Sequence, residues 1–297
     1  MIIDPTISVI IPTHNRCVQL SRAIDSVIAQ GVADLEIIVV DDASTDATSE
    51  MDFAALDGRI TVLRHDRNRG GAAARNTGIA YANGSWVAFL DSDDTWLPGK
   101  LQRQREAIER LGAGNYFLCA NVLSRSEDGR ESLFNSRPPV INENLSEYFL
   151  IRGNSFQTSA LMVPAQALRH VRFDESLKRH QDWDLVLRLV RAGYRYEYSH
   201  EPLAVYSNAS DGTRISRQRD PAPTLHWFRV ARDLVSPAAA AYLYSYLYLP
   251  RHLRTSFAEA LGVLSALAVR DSRAFGYACQ AIARRAREEV HRVVVNR

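Results

Sequence analysis

The chain opens on short apolar runs, each ending in a burst of polar residues. Ile7 to Ile11 (ISVII) and Glu36 to Val40 (EIIVV) are dominated by β-forming side chains. Apolarity sustained over that length predicts strands covered on both faces, as in a parallel sheet. Between them, LSRAIDSVIAQG sets Leu20, Ile24, Val27 and Ile28 on one helical stripe and closes on Gly31, which completes a βαβ unit. ITVLRH (60–65) predicts a third strand, Gly70 to Ala82 a helix, WVAFL (86–90) a fourth strand and Pro98 to Leu111 a polar helix. The alternation predicts an open, mostly parallel α/β sheet with ligands beyond the carboxyl ends of its strands.

After about residue 114 the rhythm loosens. NYFLCANVL (115–123) and SALMVP (159–164) read as strands, Glu127 to Gly129 as a turn, and Ser132 to Asn144 as loop. DWDLVLRLVRAG predicts a helix from near Asp182 to Gly193, followed by a polar loop from Ser207 to Arg219. From Pro223 the chain is rich in Ala, Arg and Tyr at helical spacing, interrupted by Pro237 and Pro250. The expected division is one domain over residues 1–215, in halves 1–112 and 113–215, and a C-terminal helical region, 216–297.

Composition narrows the class. The 297 residues are 46% apolar and 24% charged, ordinary values for a globular protein. Cys17, Cys119 and Cys279 have no disulfide or metal spacing, which favours a reducing compartment, and the eight histidines show no zinc pattern. The first residues lack a basic leader, so no secretory signal is expected, and no apolar run is long enough to span a membrane. Charge is uneven: residues 1–213 hold 22 basic against 28 acidic side chains, −6, and residues 214–297 hold 14 against 6, +8. A basic tail behind an acidic body suggests an anionic partner for the tail.

The polar bursts carry the candidate chemistry: PTHNR (12–16), DDASTDAT (41–48), NRGGAAARN (68–76) and DSDD (91–94). Asp91, Asp93 and Asp94 repel one another unless something positive lies between them, so DSDD reads either as a solvated turn or as a cation site. Taken in order, SVIIPTHNR, EIIVVDDASTDAT, NRGGAAARNTGIAYANGSW and FLDSDD resemble the inverting glycosyltransferases of family 2, which have the GT-A fold. The match is close over residues 6–112 and looser to about 195.

The resemblance implies a nucleotide-diphosphate sugar donor, a UDP-sugar foremost, lying across the sheet edge. Pro12, Thr13 and Asn15 would border the nucleotide. Asp42 would accept from the base; a carboxylate accepts but cannot donate, which suits an imide N–H. Arg75 would offer a fixed guanidinium to phosphate or base. Asp91 would lie near the ribose and Asp93 on Mg²⁺ or Mn²⁺ bridging the diphosphate, with Asp94 as a helix cap or a support. Gly70 and Gly71 permit close backbone approach without forming a Walker loop. FDESLKRHQDWDLVLRL (173–189) resembles the family's acceptor segment, where a Glu-Asp pair opens a helix; here Gln181 and Asp182 stand in those places. Asp182 thereby matches the general base, and the helix N-terminus is expected to keep it a weak one. Asp182 and Asp184, two apart, cannot share a helical face, so one is expected to cap. The residues 206–218 could fold over the donor through Arg214 or Arg217.

The implied acceptor is a hydroxyl of a glycan or lipid-linked saccharide. AYLYSYLYLPRHLR (241–254) and a stripe of Ile282, Ala286, Val290 and Val293 leave three readings of the tail: a packed helical subdomain, a peripheral membrane contact or an oligomer contact. No nucleic-acid motif is present. The expected location is cytoplasmic, with contact at the inner face of the membrane as an alternative. Two rivals remain: a non-catalytic nucleotide-sugar-binding scaffold, and a nucleotidyltransferase, whose Gly- and Lys-rich signature SVIIPTHNRCVQL lacks.

Overall fold

The structure is a computed structural model and describes residues 7–126, 128–140, 142–207, 220–247 and 272–295. The chain divides into two compact units, Met1–Pro138 with Ser155–Gln218, and Pro139–Asn154 with Arg219–Arg297. Arg214, Arg217, residues 248–254 and the side chains of Ala286, Val290 and Val293 lie outside what is described.

The first unit is built on a nine-stranded sheet. Strands β1 (Ile7–Thr13), β2 (Leu35–Asp41), β3 (Ile60–Arg64) and β4 (Trp86–Phe89) lie in the order β3-β2-β1-β4, all parallel. Every residue of β1 and β4 is buried, as their apolar runs require. Helix α1 (Cys17–Ile28) buries Leu20, Ala23, Ile24 and Val27, and Gly31 beyond it takes the left-handed conformation, φ 66°. A short α2 (Phe53–Leu56) precedes β3. Helix α3 (Gly71–Tyr81) is lined with small residues for a reason: a Cβ on Gly78 would lie 2.6 Å from Ile10 Cγ2. The glycine lets the helix sit close on β1 and buries Arg75 and Asn76 near the strand ends.

Beyond β4 come β5 (Thr95–Trp96), α4 (Lys100–Leu111), β6 (Tyr116–Arg125) and β7 (Glu131–Leu133). Gly99, in the left-handed conformation, begins α4 without a side-chain cap, so Asp94 is not a helix cap. Later in the chain stand β8 (Met162–Pro164), α6 (Ala165–Leu168), α7 (Gln181–Arg191) and β9 (Arg195–Ser207). They extend the sheet as β4-β8-β6-β9-β5, with β6 and β9 parallel and β7 hanging on β6. Only half of SALMVP is strand, because Thr158–Ala160 is a 3₁₀ turn. Long β9 escaped prediction because register shifts around Asn121, opposite Pro202, break its alternation.

The second unit is helical: α5 (Leu145–Leu150), α8 (Ala222–Val230), α9 (Pro237–Leu247) and α10 (Ser272–Val295). The stretch from Ser132 to Asn144, expected as loop, begins with the last two residues of β7, and helix α5 starts just beyond it, where no element was predicted. Asn144 caps it by accepting from the Ser146 and Glu147 amides, and Asn-Leu-Ser-Glu is a legible capping pattern. Ser236 donates its amide to Ser146 Oγ at 2.9 Å, and Arg273 reaches Glu147 at 3.0 Å, so residues 139–154 group with the tail. Among the described residues no helix is long and apolar enough to cross a membrane.

Candidate active site

The loops after β1 and β2 are tied together before any ligand is considered. Pro12 and Thr13 are the buried last residues of β1, paired in register with Val40 and Asp41. Thr13 Oγ1 is buried and has no hydrogen-bond partner. Asn15 holds φ 53°, a conformation Asn tolerates better than most residues. Its Oδ1 accepts from the Thr45 amide at 2.7 Å and the Asp46 amide at 3.3 Å.

Alternation along β2 sends neighbouring Asp41 and Asp42 to different tasks. Asp41 accepts from the Ser44 amide at 2.8 Å. Asp42, 3% exposed, accepts from His65 Nδ1 at 2.7 Å, the Arg69 amide at 2.8 Å and the Gly70 amide at 2.7 Å. Three of roughly four acceptor positions on a carboxylate are therefore directed at its own chain. His65, one of the histidines without a zinc pattern, is the buried partner of Asp42; its Nε2 meets Thr77 Oγ1 at 2.9 Å. A cleft of about 500 Å³ lined by Arg64, His65, Asp66, Arg67 and Arg69 opens beside them.

The three carboxylates of DSDD have three different partners. Asp91 Oδ1 accepts from Arg75 at 2.5 Å, and Asp93 pairs with Arg16 at 2.5 Å. Asp94 is buried and accepts from Ser159 Oγ at 2.7 Å and from the Ser207 amide at 3.2 Å, which ties the end of β9 to this turn. The chain thus supplies its own positive charge between the acids. Sequence reading missed Arg16, although it is the one fixed cation of PTHNR and β1 neighbours β4.

Arg75 and Asn76 connect this edge to the segment before α7. Arg75 lies over the Phe173 ring at 5.2 Å and donates to Gln181 Oε1 at 2.9 Å, while its buried Nε has no partner. Asn76 donates to the Phe173 carbonyl at 2.9 Å and accepts from the Phe173 amide at 3.0 Å. These two clamps bring Asp182 close enough to Asp91 and Arg75 for both charges to act on it.

Burial dominates at Asp182 and lifts its pKa from 3.8 to about 6; the Trp183 amide opposes this, Asp91 adds to it, and Arg75 opposes it. The expected weak base is corrected: near the helix N-terminus, loss of water outweighs the amide it gains. Neither acid caps α7, which starts at His180 with φ 62° and no side-chain cap. His180 stacks on Trp183 at 4.3 Å and is held neutral, its pKa pressed to about 3 by burial and by Arg179. Asp184 is buried and paired with Arg188 one turn on, a packing role.

Among the described residues no group of three His, Cys, Asp or Glu side chains is placed to hold a metal by itself. Asp93 offers hard oxygen, which fits a Mg²⁺ or Mn²⁺ ion that takes its other ligands from phosphate and water.

Known proteins of similar sequence and fold bear on this arrangement. Residues 8–177 match the family model described as glycosyl transferase family 2. Amylovoran biosynthesis glycosyltransferase AmsB of Erwinia amylovora is 32% identical over 212 residues, 68% of this chain and 70% of that one. S. aureus TarS 1–349, solved with UDP-GlcNAc, superposes with TM-score 0.62 at 21% identity, covering 93% of this chain and 81% of that one. Mannosyltransferase PcManGT from Pyrobaculum calidifontis, solved with GDP-Man and Mn²⁺, gives 0.61 at 19% identity over 96% and 88%. At such identities the two structures speak for the GT-A fold alone.

Proposed function

The chain belongs to glycosyltransferase family 2 and is a glycosyltransferase of GT-A fold, and from that premise we propose an inverting transfer from a UDP-sugar to a hydroxyl of a glycan or lipid-linked saccharide. The observation that carries the proposal is Asp182: an acceptor-side carboxylate, raised to about 6, within reach of the charges of Asp91 and Arg75. In an inverting displacement the acceptor oxygen attacks from the face opposite the departing diphosphate, and one group must take its proton. A pKa near 6 leaves Asp182 ionised at neutral pH while making it a stronger base than an ordinary aspartate.

On the donor side, Asp42 fixes the Arg69–Gly70 backbone and keeps acceptor capacity for the imide N–H of uracil. Pro12, Thr13 and Asn15 border the nucleotide, the Thr13 hydroxyl lacking a partner of its own. Asp91 orients the ribose side and Arg75 faces the diphosphate. Asp93 would hold a divalent metal shared with the diphosphate; such an ion offsets charge building on the leaving group. The nucleotide sugars bound by TarS and PcManGT, and the Mn²⁺ of the latter, support this chemistry. AmsB, named for amylovoran biosynthesis, supports polysaccharide assembly as the setting. The catalytic part lies within residues 1–215, working in the cytoplasm, and the basic region 216–297 serves membrane contact or self-association.

Calorimetry with UDP and GDP, with Mn²⁺ or EDTA, tests the donor site. UDP is expected to bind at least about tenfold more weakly in EDTA, about 1.4 kcal/mol, and Asp93→Ala to remove that difference. Equal affinity with and without metal in the native protein sinks the metal, and tighter binding of GDP sinks the uridine assignment.

A further inference from the structure

Gln181 sits where the resembling segment carries an acid, and its contacts use both ends of an amide. Its Oε1 accepts from Arg75 at 2.9 Å while its Nε2 donates to the Leu177 carbonyl at 2.6 Å. A glutamate only accepts, so at this position it would lose the Leu177 bond and set a charged oxygen against a carbonyl. The neighbouring chain makes room for the contact: a Cβ on Gly71 would come 3.1 Å from an Arg75 terminal nitrogen and 3.8 Å from Gln181 Oε1. Arg75 is otherwise held by Asp91 at 2.5 Å and by the Phe173 ring.

We propose that Gln181 is a positioning residue, a neutral bracket that fixes the Arg75 guanidinium between donor-side Asp91 and acceptor-side Asp182 without adding a second negative charge. The charged groups that act on Asp182 are Asp91 from the end of β4 and Arg75 from α3. On its own helix, His180 is neutral and Asp184 is paired with Arg188. Arg75 already answers one carboxylate. A second at position 181 would leave negative charge in excess beside Asp182 and hold its proton on to higher pH, because like charges disfavour ionisation. The proposal rests on Asp182 being the base, and two separate readouts keep the ideas apart.

The first readout is carbon-13 NMR titration of the aspartate carboxyls in the whole protein, with Asp182 identified by the signal missing from Asp182→Asn. Gln181→Glu should raise the Asp182 midpoint by at least about half a pH unit. Gln181→Met, equally long but neutral, should raise it clearly less. An unmoved midpoint in Gln181→Glu, or in Gln181→Met, which releases Arg75, overturns the bracket. Should Gln181→Glu not fold, Gln181→Met carries the test alone, because it releases the guanidinium without adding charge; an unmoved midpoint there overturns the bracket equally. The second readout is hydrolysis of UDP-glucose by Asp182→Asn. Undiminished hydrolysis rejects Asp182 as base whatever the titration shows, whereas lost hydrolysis with an unmoved midpoint rejects only the bracket.

Discussion

Asp42 and Asp182 are carboxylates at the same sheet edge, treated in opposite ways. Asp42 receives three hydrogen bonds from His65, Arg69 and Gly70. Asp182 accepts from the Trp183 amide at 2.9 Å, stands half-buried and loses much of its hydration, and feels the charge of Asp91. The first arrangement fixes a loop and suits a group that only accepts hydrogen bonds. The second leaves the charge poorly solvated and suits a group that must gain a proton. The difference lies in who surrounds each acid: a loop folded back on itself, or a segment from far along the chain that Arg75 and Asn76 clamp in place.

The largest expected effect separates the two acids by reaction. Asp182→Asn keeps the shape and the bond from Trp183 but loses proton affinity, so turnover should fall by about 10²–10⁴-fold with UDP affinity nearly unchanged. Near-normal turnover would make Asp182 a packing residue. Next comes the clamp. Asn76→Ala leaves the buried Phe173 amide and carbonyl without partners, which should cost about 1–3 kcal/mol of stability and lower turnover more than UDP affinity. Thermal unfolding and calorimetry on one preparation check both; a variant as stable as the parent means that the segment before α7 is held elsewhere.

Asp42→Asn should act the other way round from Asp182→Asn. Its amide nitrogen would face donors, loosening the loop at Arg69 and Gly70, so UDP should bind about tenfold more weakly, about 1.4 kcal/mol, while turnover at saturating donor changes little. A tight-binding, slow variant would break the comparison. The smallest effect is in stability against pH. With its pKa raised in the folded state from 3.8 to about 6, Asp182 is protonated when folded and ionised when unfolded between those values. Its contribution therefore falls as pH rises through that window and is fully lost above it. Asp182→Asn should melt higher than the native protein at pH 7 and alike below pH 3.8. A native protein at least as stable as the variant at pH 7 would contradict the burial.

Much of the first half was legible. ISVII, EIIVV and WVAFL become β1, β2 and β4 because strands covered on both faces have to be apolar throughout, and the small residues of GGAAARNTGIA mark a helix pressed against β1. The polar bursts also fell where expected, at the carboxyl ends of those strands. Strand β9 and helix α5 were not read: one has its alternation broken by a bulge around Pro202, the other is announced only by the Asn144 cap.

Partnerships were the part that sequence did not reach. By itself the chain determined where its strands lie and which side chains stand at their ends, because local patterning sets burial and turn chemistry. Only the tertiary structure decided that Arg16 answers Asp93, that Arg75 answers Asp91 and Gln181, and that Asp182 is a stronger base than a helix N-terminus would make it. Those outcomes depend on which loops the sheet order brings together and how much water they exclude, and charge and solvation act through space rather than along the chain.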